Sequence, residues 1–191
     1  MDDEDVDPAL VTRLLAKGVV LVPYDPAWPA RFEVAAAAIR EACAGEVTVV
    51  EHIGSTAIPG LLAKPVLDIM PGLGSYEDGF AIVAPMESLG YEYRGEFGIP
   101  RRHYFTKPVA DDRHAWKHNV HCYVVGDPEW LRHLAFRDAL RRDGAVRAAY
   151  QSLKLELAAR FPDDVEAYAE AKGEFVDGVV RAYGGPPRTN G

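Results

Sequence analysis

The chain has 191 residues, of which 48% are hydrophobic and 26% are charged, a composition typical of a globular protein with one main core. Its formal net charge is −8, but five acids lie within the first seven residues, so the rest of the chain carries only −3. This balance excludes a surface that binds nucleic acid through a broad excess of lysine and arginine, although it leaves room for a local basic pocket that holds a small anion.

Targeting and redox features are absent from the sequence. No run of about 18 apolar residues occurs, and acids occupy the start of the chain where a signal peptide has a basic region and an apolar stretch. We therefore expect a cytoplasmic protein without a membrane partner. Cys43 and Cys122 lie far apart and lack Cys-x-x-Cys spacing, so we expect both to be small core residues.

The predicted elements divide the chain into four regions. Residues 1–8 are an acidic tail, residues 9–125 form an α/β core, residues 126–183 form a C-terminal helical region, and residues 184–191 are a flexible tail. This order predicts a fold that contains both helices and strands, α/β in the broad sense and α+β in the narrower one, with further helices at the C-terminal end.

In the α/β core, apolar spacing and β-branched runs predict helices and strands in turn. The predicted helices cover 8–17, 31–43 and 76–89, and the predicted strands cover 19–22, 47–53, 65–70, 91–94, 103–107 and 119–125. Segment 23–29 contains three prolines, so neither regular structure is expected there. Within it, Trp28 should be buried and should hold the N-terminal segment against the sheet.

The connection between the strands at 47–53 and 65–70 is rich in glycine and small residues. Gly54, Ser55 and Thr56 can present backbone N–H groups and hydroxyls to a phosphate, and Lys64 adds a positive charge nearby. A Walker loop is excluded, because no Gly-Lys-Ser or Gly-Lys-Thr is present. Spacing alone favours equally an anion-binding loop and a tight turn with a structural role.

Asp68 lies in an otherwise apolar predicted strand. A carboxylate buried there without a partner would be costly, so it should contact a cation, a metal ion or several hydrogen-bond donors. A Mg²⁺ ion facing phosphate oxygens would explain its position, and so would a structural pair with Lys64 or an arginine.

Basic residues and histidines are concentrated between residues 101 and 121. The basic residues are Arg101, Arg102, Lys107, Arg113 and Lys117. Arg102 should share a strand face with Tyr104, which suggests an anion site, whereas the alternative is a charged hairpin loop in water. His118 and His121 should lie on opposite faces of their strand, so chelation of one ion by both is not expected.

His121 is the better candidate of the two, as a metal ligand or general base beside Asp68. Three residues on its strand, Asn119, His121 and Tyr123, should share one face, and Val120, Cys122 and Val124 the other. His52 should be a packed histidine next to the glycine-rich loop. We assign no functional role to the remaining histidines, which are His103, His114 and His133.

The C-terminal region is predicted to form helices at 127–142, 145–160 and 163–183, with Asp163 or Asp164 capping the third. Two of these helices carry a Tyr and a Lys four residues apart on one face. These pairs are Tyr150 with Lys154 and Tyr168 with Lys172. Above a cleft, the lysines would contact phosphates and the tyrosines would stack or hydrogen-bond; otherwise the pairs are ordinary amphipathic packing.

Several of these segments together resemble the GrpB family. They are Tyr-Asp-Pro-Ala-Trp-Pro at 24–29, Gly-Ser-Thr-Ala-Ile-Pro-Gly-Leu-Leu-Ala-Lys-Pro-Val-Leu-Asp-Ile at 54–69 and His-Asn-Val-His at 118–121, with further likeness at 136–138, 150–154 and 168–172. The resemblance implies a nucleotidyltransferase-like mixed sheet flanked by helices, with a C-terminal helical region. It also implies a relation to a domain fused to dephospho-coenzyme A kinase in some bacteria.

The nucleotidyltransferase signature is matched only in part. Gly54-Ser55 and Asp68 fit it, but Met70 stands where a second acid is usual, and His121 is nearest to the position of the third. Phosphoryl chemistry with two metal ions normally needs several carboxylates. The sequence therefore departs from the nucleotidyltransferase signature at the residues that hold the cations.

The resemblance implies binding of a nucleoside triphosphate or related phosphorylated compound with Mg²⁺, and transfer of a nucleotidyl or phosphoryl group to a small acceptor. Asp68 and His121 would be the catalytic and metal-binding residues. The phosphate-binding residues would be Gly54, Ser55, Thr56, Lys64, Arg102, Tyr150, Lys154, Tyr168 and Lys172, and Arg101 would join the convergent cations. The alternatives are a regulatory module that binds an anion without catalysis, and hydrolysis by a transition metal on His121 and Asp68.

Overall fold

The fold is organised by a five-stranded sheet with the order β1-β2-β5-β4-β3. A computed structural model describes residues 18–107 and 117–189. Its strands are β1 Val47–Ile53, β2 Val66–Leu73, β3 Glu92–Tyr93, β4 His103–Lys107 and β5 Lys117–Val124. Strands β2 and β5 pair in parallel and the other pairs are antiparallel, so the predicted mixed α+β sheet is confirmed.

Helices flank this sheet and form the C-terminal region. They are α1 Trp28–Ala42, α2 Asp78–Ala81, α3 Val83–Ser88, α4 Pro128–Arg142, α5 Gly144–Arg160, α6 Val165–Glu170 and α7 Gly173–Ala182. A single 3₁₀ turn, Ser55–Ala57, follows β1. None of the helices in the described ranges has the length and apolar character needed to cross a membrane.

The prediction of an irregular segment at 23–29 was wrong at its end, because α1 begins at Trp28. Pro29 occupies the first turn of α1, where a missing N–H costs nothing. The predicted burial of Trp28 is confirmed, since the side chain is fully buried in the main core. The strand predicted at 19–22 is reduced to one isolated bridge between Val22 and Ala63. The helix predicted at 8–17 lies outside the described residues.

Two predicted helices are interrupted. The segment 76–89 forms α2 and α3, because Pro85 lacks the N–H of a continuous helix and is tolerated only in the first turn of α3. The segment 163–183 forms α6 and α7, with Asp164 capping α6 through the backbone N–H of Ala167 at 2.9 Å. Strand β3 is also shorter than the predicted 91–94.

The two faces of the sheet are packed differently. One face is covered by α1 and contributes Leu67, Ile69, Val120 and Cys122 to the main core. Cys43 lies in the same core, and both cysteines are free thiols, as predicted. The alternation predicted for β5 is confirmed at these positions, because its intervening side chains face the C-terminal helices.

On that second face, Met70 and Tyr123 pack against Trp130 of α4. A third cluster joins Ile58 and Leu61, from the loop after β1, to Leu140 and Tyr150 of α4 and α5. The C-terminal helices are therefore fastened by apolar contacts over the loop that connects β1 to β2. This packing brings residues that are distant in the sequence to one site.

Candidate functional site

The parallel pairing of β2 and β5 places Asp68 directly opposite Asn119. The Asn119 side-chain amide donates to Asp68 Oδ1 at 3.0 Å, and His121 Nε2 lies 3.6 Å from the same oxygen. Burial alone would raise the pKa of Asp68, but His121, Asn119 and the charge of Lys64 hold it below its usual value. We call Asp68, Asn119 and His121 the carboxylate pocket.

His121 is held from its other side by Arg102. A guanidinium nitrogen of Arg102 lies 3.3 Å from His121 Nδ1, and the same group donates to the backbone oxygens of Glu96 and Phe97. Because a guanidinium can only donate, Nδ1 must accept, and the proton of the neutral ring is then on Nε2, towards Asp68. In this tautomer His121 offers no free lone pair, so its predicted roles as metal ligand or general base would require Arg102 to move.

Arg102 itself is buried, and its guanidinium lies 4.4 Å from the centre of the Tyr104 ring. The shared face predicted for Arg102 and Tyr104 is therefore confirmed. Arg102 contacts carbonyl oxygens and His121, so the structure places it behind the carboxylate pocket. The Tyr104 hydroxyl donates to Asn119 Oδ1 at 3.1 Å, which leaves the Asn119 amide hydrogens directed at Asp68.

Gly54 forms the wall of this pocket beside Asp68. Its φ of 70° lies in the region that favours glycine, and a Cβ placed there would be 2.2 Å from Asp68 Oδ2. Both the backbone turn at the end of β1 and the position of the carboxylate therefore depend on a glycine here.

Three lysines form a second group, which we call the lysine cluster: Lys64, Lys154 and Lys172. Lys154 is 1% exposed, and its ammonium group donates to Ser55 Oγ at 3.2 Å and to the backbone oxygen of Leu62. Lys172 lies 4.4 Å from the centre of the Tyr168 ring, and Lys64 lies 5.8 Å from the same centre.

The lysine cluster is electrostatically unfavourable without a ligand. Burial and the charge of Lys172 lower the pKa of Lys154 to about 7. Burial and the charge of Lys64 lower the pKa of Lys172 to about 8, although Asp68 opposes that shift. Burial likewise lowers the pKa of Lys64. In the described ranges, none of these three ammonium groups has an ion pair with a carboxylate within 4.0 Å.

The structure thus brings together most of the residues predicted for the site, but not all of them. Arg101 was wrongly expected to converge with the lysines: its side chain is 58% exposed and pairs with Asp127 at 3.3 Å. Thr56 is buried, and its hydroxyl donates to the backbone oxygen of Val66 and lies 3.0 Å from His52 Nε2. His52 is the packed histidine that was predicted, stacked on Phe32 at 4.6 Å.

Sequence reasoning gave no role to His133, which lines a cavity of about 240 Å³ together with Gly54, Asp68 and His121. The His133 ring is 5.8 Å from that of His121, and burial lowers its pKa to about 4, so it is neutral at pH 7. His118 lies on the opposite face of β5, where Nδ1 is 2.9 Å from the Tyr91 hydroxyl. His118 and His121 therefore lie on opposite faces of β5, as predicted.

The residues at Asp68 suit one Mg²⁺ ion and do not suit a pair. In the part of the chain that the structure describes, no group of three or more His, Cys, Asp or Glu side chains could hold a metal ion. Met70, at the position of the second acid, is fully buried among apolar side chains. Mg²⁺ is commonly held by one or two carboxylates together with substrate phosphates, which Asp68 and a phosphorylated ligand can provide.

The fold of this chain is shared by solved structures of other proteins. A crystal structure of the Cid1 poly(U) polymerase with magnesium and 3′-dATP aligns with a TM-score of 0.50 and 11% sequence identity, over 80% of this chain and 47% of that one. At that identity the likeness concerns the fold alone, which is nucleotidyltransferase-like. A sequence model of the GrpB protein family matches residues 18–182. The chain belongs to the GrpB family.

Relatives of known sequence and structure agree with this assignment. The crystal structure of GrpB from Enterococcus faecalis aligns with a TM-score of 0.77 and 36% identity, over 86% of this chain and 96% of that one. The UPF0157 protein PA4798 of Pseudomonas aeruginosa is 40% identical over 85% of this chain, which spans 66% of that protein.

The predicted relation to dephospho-coenzyme A kinases is also confirmed. A dephospho-CoA kinase of Mycolicibacterium paratuberculosis is 31% identical over 91% of this chain, which spans 48% of that protein.

Proposed function

We propose that this chain is a cytoplasmic protein that binds a nucleoside triphosphate, or a related phosphorylated small molecule, and transfers a nucleotidyl or phosphoryl group to a small acceptor. The lysine cluster is the observation that carries this proposal. Lys154 is buried, Lys64 and Lys172 are half-buried, and none of the three has a carboxylate ion pair within 4.0 Å in the described ranges. Positive charge on these groups is therefore costly until an anion joins them. A polyphosphate supplies several negative charges to one site.

The phosphates would contact Ser55, which follows β1, and Lys154, which donates to it. Lys64 and Lys172, both near the Tyr168 ring, would contact the same phosphates. The Asp68 carboxylate would hold Mg²⁺ together with ligand oxygens, and the ion would neutralise charge on the phosphates. Asn119 and His121 keep the carboxylate ionised and oriented. Positioning and charge neutralisation are the main requirements of in-line transfer.

A second candidate function is ligand binding without turnover. It is favoured by Met70, whose burial among apolar side chains removes a second carboxylate from the site. Such a module would keep the lysine cluster and would leave the nucleotide intact.

Calorimetry with ATP and Mg²⁺, with dephospho-CoA as a second probe, tests the binding step. We expect Lys172→Ala to weaken binding at least tenfold. Lys107→Met should leave binding unchanged, because Lys107 instead contacts the backbone oxygen of Leu89. Failure of both probes to bind the wild-type protein would refute both candidate functions.

Product analysis then separates the two. Nucleotidyl transfer predicts release of pyrophosphate, and phosphoryl transfer predicts a nucleoside diphosphate together with a phosphorylated acceptor. Either product should be lost in Asp68→Asn, while nucleotide binding persists. Tight binding of an intact nucleotide, with equal affinity in Asp68→Asn, would instead establish the binding module.

A further inference from the structure

A larger cavity lies at the free edge of the sheet, beside β1. Its volume is about 630 Å³, and it lies between the α1 side chains and the last turns of α4. It is separate from the cavity at Asp68, but Arg137 lines both. Nothing in the proposed transfer reaction uses this space.

Three arginines line this cavity, and two of them have no acidic partner among the described residues. Arg137 is satisfied by ion pairs with Glu51 at 2.6 Å and Asp138 at 2.9 Å. Arg141 donates to the backbone oxygen of Ala57, and Arg147 donates to that of Leu140. Within the described residues, neither Arg141 nor Arg147 has a carboxylate within 4.0 Å.

The acids near these arginines are engaged elsewhere. Glu33, which also lines the cavity, pairs with Arg40 at 3.5 Å. Asp143 accepts hydrogen bonds from two backbone N–H groups at the start of α5 and from the Tyr183 hydroxyl. Burial and the charge of Arg137 lower the pKa of Arg141, although the charges of Asp138 and Glu51 oppose that shift.

Aromatic side chains also line this cavity. Phe32 and His52 stack with their rings nearly parallel, at 5° and 4.6 Å. Burial lowers the pKa of His52 to about 4, so the imidazole is neutral at pH 7 and the stack presents an uncharged surface. Tyr24 lies at the same rim, edge-on to Trp28. A cavity lined by both guanidinium groups and aromatic rings suits a molecule with an anionic group at one end and a flat ring at the other.

We propose that this cavity is a second binding site, which takes a small aromatic phosphate or carboxylate. Arg141 and Arg147 bind the anionic group, and the ring lies against Phe32 and His52. Guanidinium groups bind phosphate and carboxylate oxygens in a planar, bidentate manner, which a lysine cannot reproduce. The site does not depend on the transfer reaction, because none of its residues belongs to the lysine cluster or to the carboxylate pocket.

Phenyl phosphate, inorganic phosphate and benzyl alcohol, titrated into the full chain by calorimetry or NMR, test this site. We expect phenyl phosphate to bind most tightly, because it alone combines the two features that the cavity recognises. The double variant Arg141→Ala/Arg147→Ala should weaken its binding at least tenfold. The double variant Arg94→Ala/Arg181→Ala removes the same charge elsewhere and should bind like the wild type.

Three results would overturn the proposal. They are no binding of phenyl phosphate, equal binding by Arg141→Ala/Arg147→Ala and the wild type, or a loss of binding in Lys172→Ala alone, which would place the ligand at the lysine cluster. Equal affinity for inorganic and phenyl phosphate would show that Phe32 and His52 do not contribute to binding. Circular dichroism and urea unfolding show whether Arg141→Ala/Arg147→Ala is folded. If it is not, Arg141→Lys replaces it in the titration and should also weaken binding, because lysine keeps the charge but cannot make bidentate contacts.

Discussion

The carboxylate pocket and the lysine cluster are neighbours, but their charges are satisfied differently. The single negative charge of Asp68 has an amide donor at 3.0 Å, an imidazole nitrogen at 3.6 Å and a nearby cation. The lysine cluster has three ammonium groups, of which that of Lys154 has a pKa lowered to about 7 by burial, and its described contacts are a hydroxyl, a carbonyl and aromatic rings. The pocket is therefore organised without a ligand, whereas the cluster would gain a stabilising partner from the phosphorylated ligand that we propose.

The largest expected effect on the free energy of unfolding concerns the carboxylate pocket. Gly54→Ala introduces a Cβ that overlaps Asp68 Oδ2 in a backbone conformation that favours glycine, so the free energy of unfolding should fall by about 3 kcal/mol. Urea denaturation measures this loss. Gly60→Ala is the matched control, because its φ is also positive but no atom lies within 4 Å of the added Cβ, so it should lose about 1 kcal/mol. Equal losses in the two variants would show that Asp68 is not held in place by the turn.

An intermediate effect concerns the lysine cluster and depends on pH. Burial lowers the pKa of Lys154 to about 7, whereas lysine in an unfolded chain has a pKa of about 10.4. Between these values the unfolded state binds more protons, so the free energy of unfolding rises with pH by at most about 1.4 kcal/mol per pH unit. Below pH 7 the lysine is charged in both states and this dependence disappears.

Comparison with Lys154→Met isolates this contribution. From pH 7 to 8.5, the ligand-free wild type should gain about 2 kcal/mol relative to the variant in urea denaturation. Lys107→Met should keep the pH dependence of the wild type. A constant difference between the wild type and Lys154→Met across this range would mean that the Lys154 ammonium group stays charged, and that the cluster has a partner already.

The smallest expected effect concerns the support of the pocket. Tyr104→Phe removes the hydroxyl that donates to Asn119 Oδ1 and should cost about 1 kcal/mol of unfolding free energy. Tyr76→Phe removes an exposed hydrogen bond to Glu96 and should cost less. If Tyr104→Phe is as stable as the wild type, the orientation of Asn119 does not depend on Tyr104.

The local sequence pattern predicted much of the site. Strand alternation correctly placed His121 on the face of β5 away from the main core, and the polar position of Asp68 in an apolar strand correctly indicated a need for donors. Four-residue spacing also placed Lys154 beside Tyr150 and Lys172 beside Tyr168, in contacts that the structure contains. These features depend on residues close together in sequence.

The parts that were missed depend on the packing of distant segments. The role of Asn119 follows from the register of β2 against β5, which no local pattern specifies. His133 reaches the cavity only because α4 crosses the second face of the sheet. Arg101 was misplaced for the same reason, since its partner Asp127 lies just before α4.

The parallel pairing of β2 with β5 has a consequence for how the chain folds. The hydrogen bond between Asp68 and Asn119 joins residues 51 positions apart, and the one between Lys154 and Ser55 joins residues 99 apart. Contacts across such long loops form slowly, because the chain loses entropy before they can form. We therefore expect the helices to form early and the site to be among the last regions assembled, so that a phosphorylated ligand slows unfolding and leaves the folding rate unchanged.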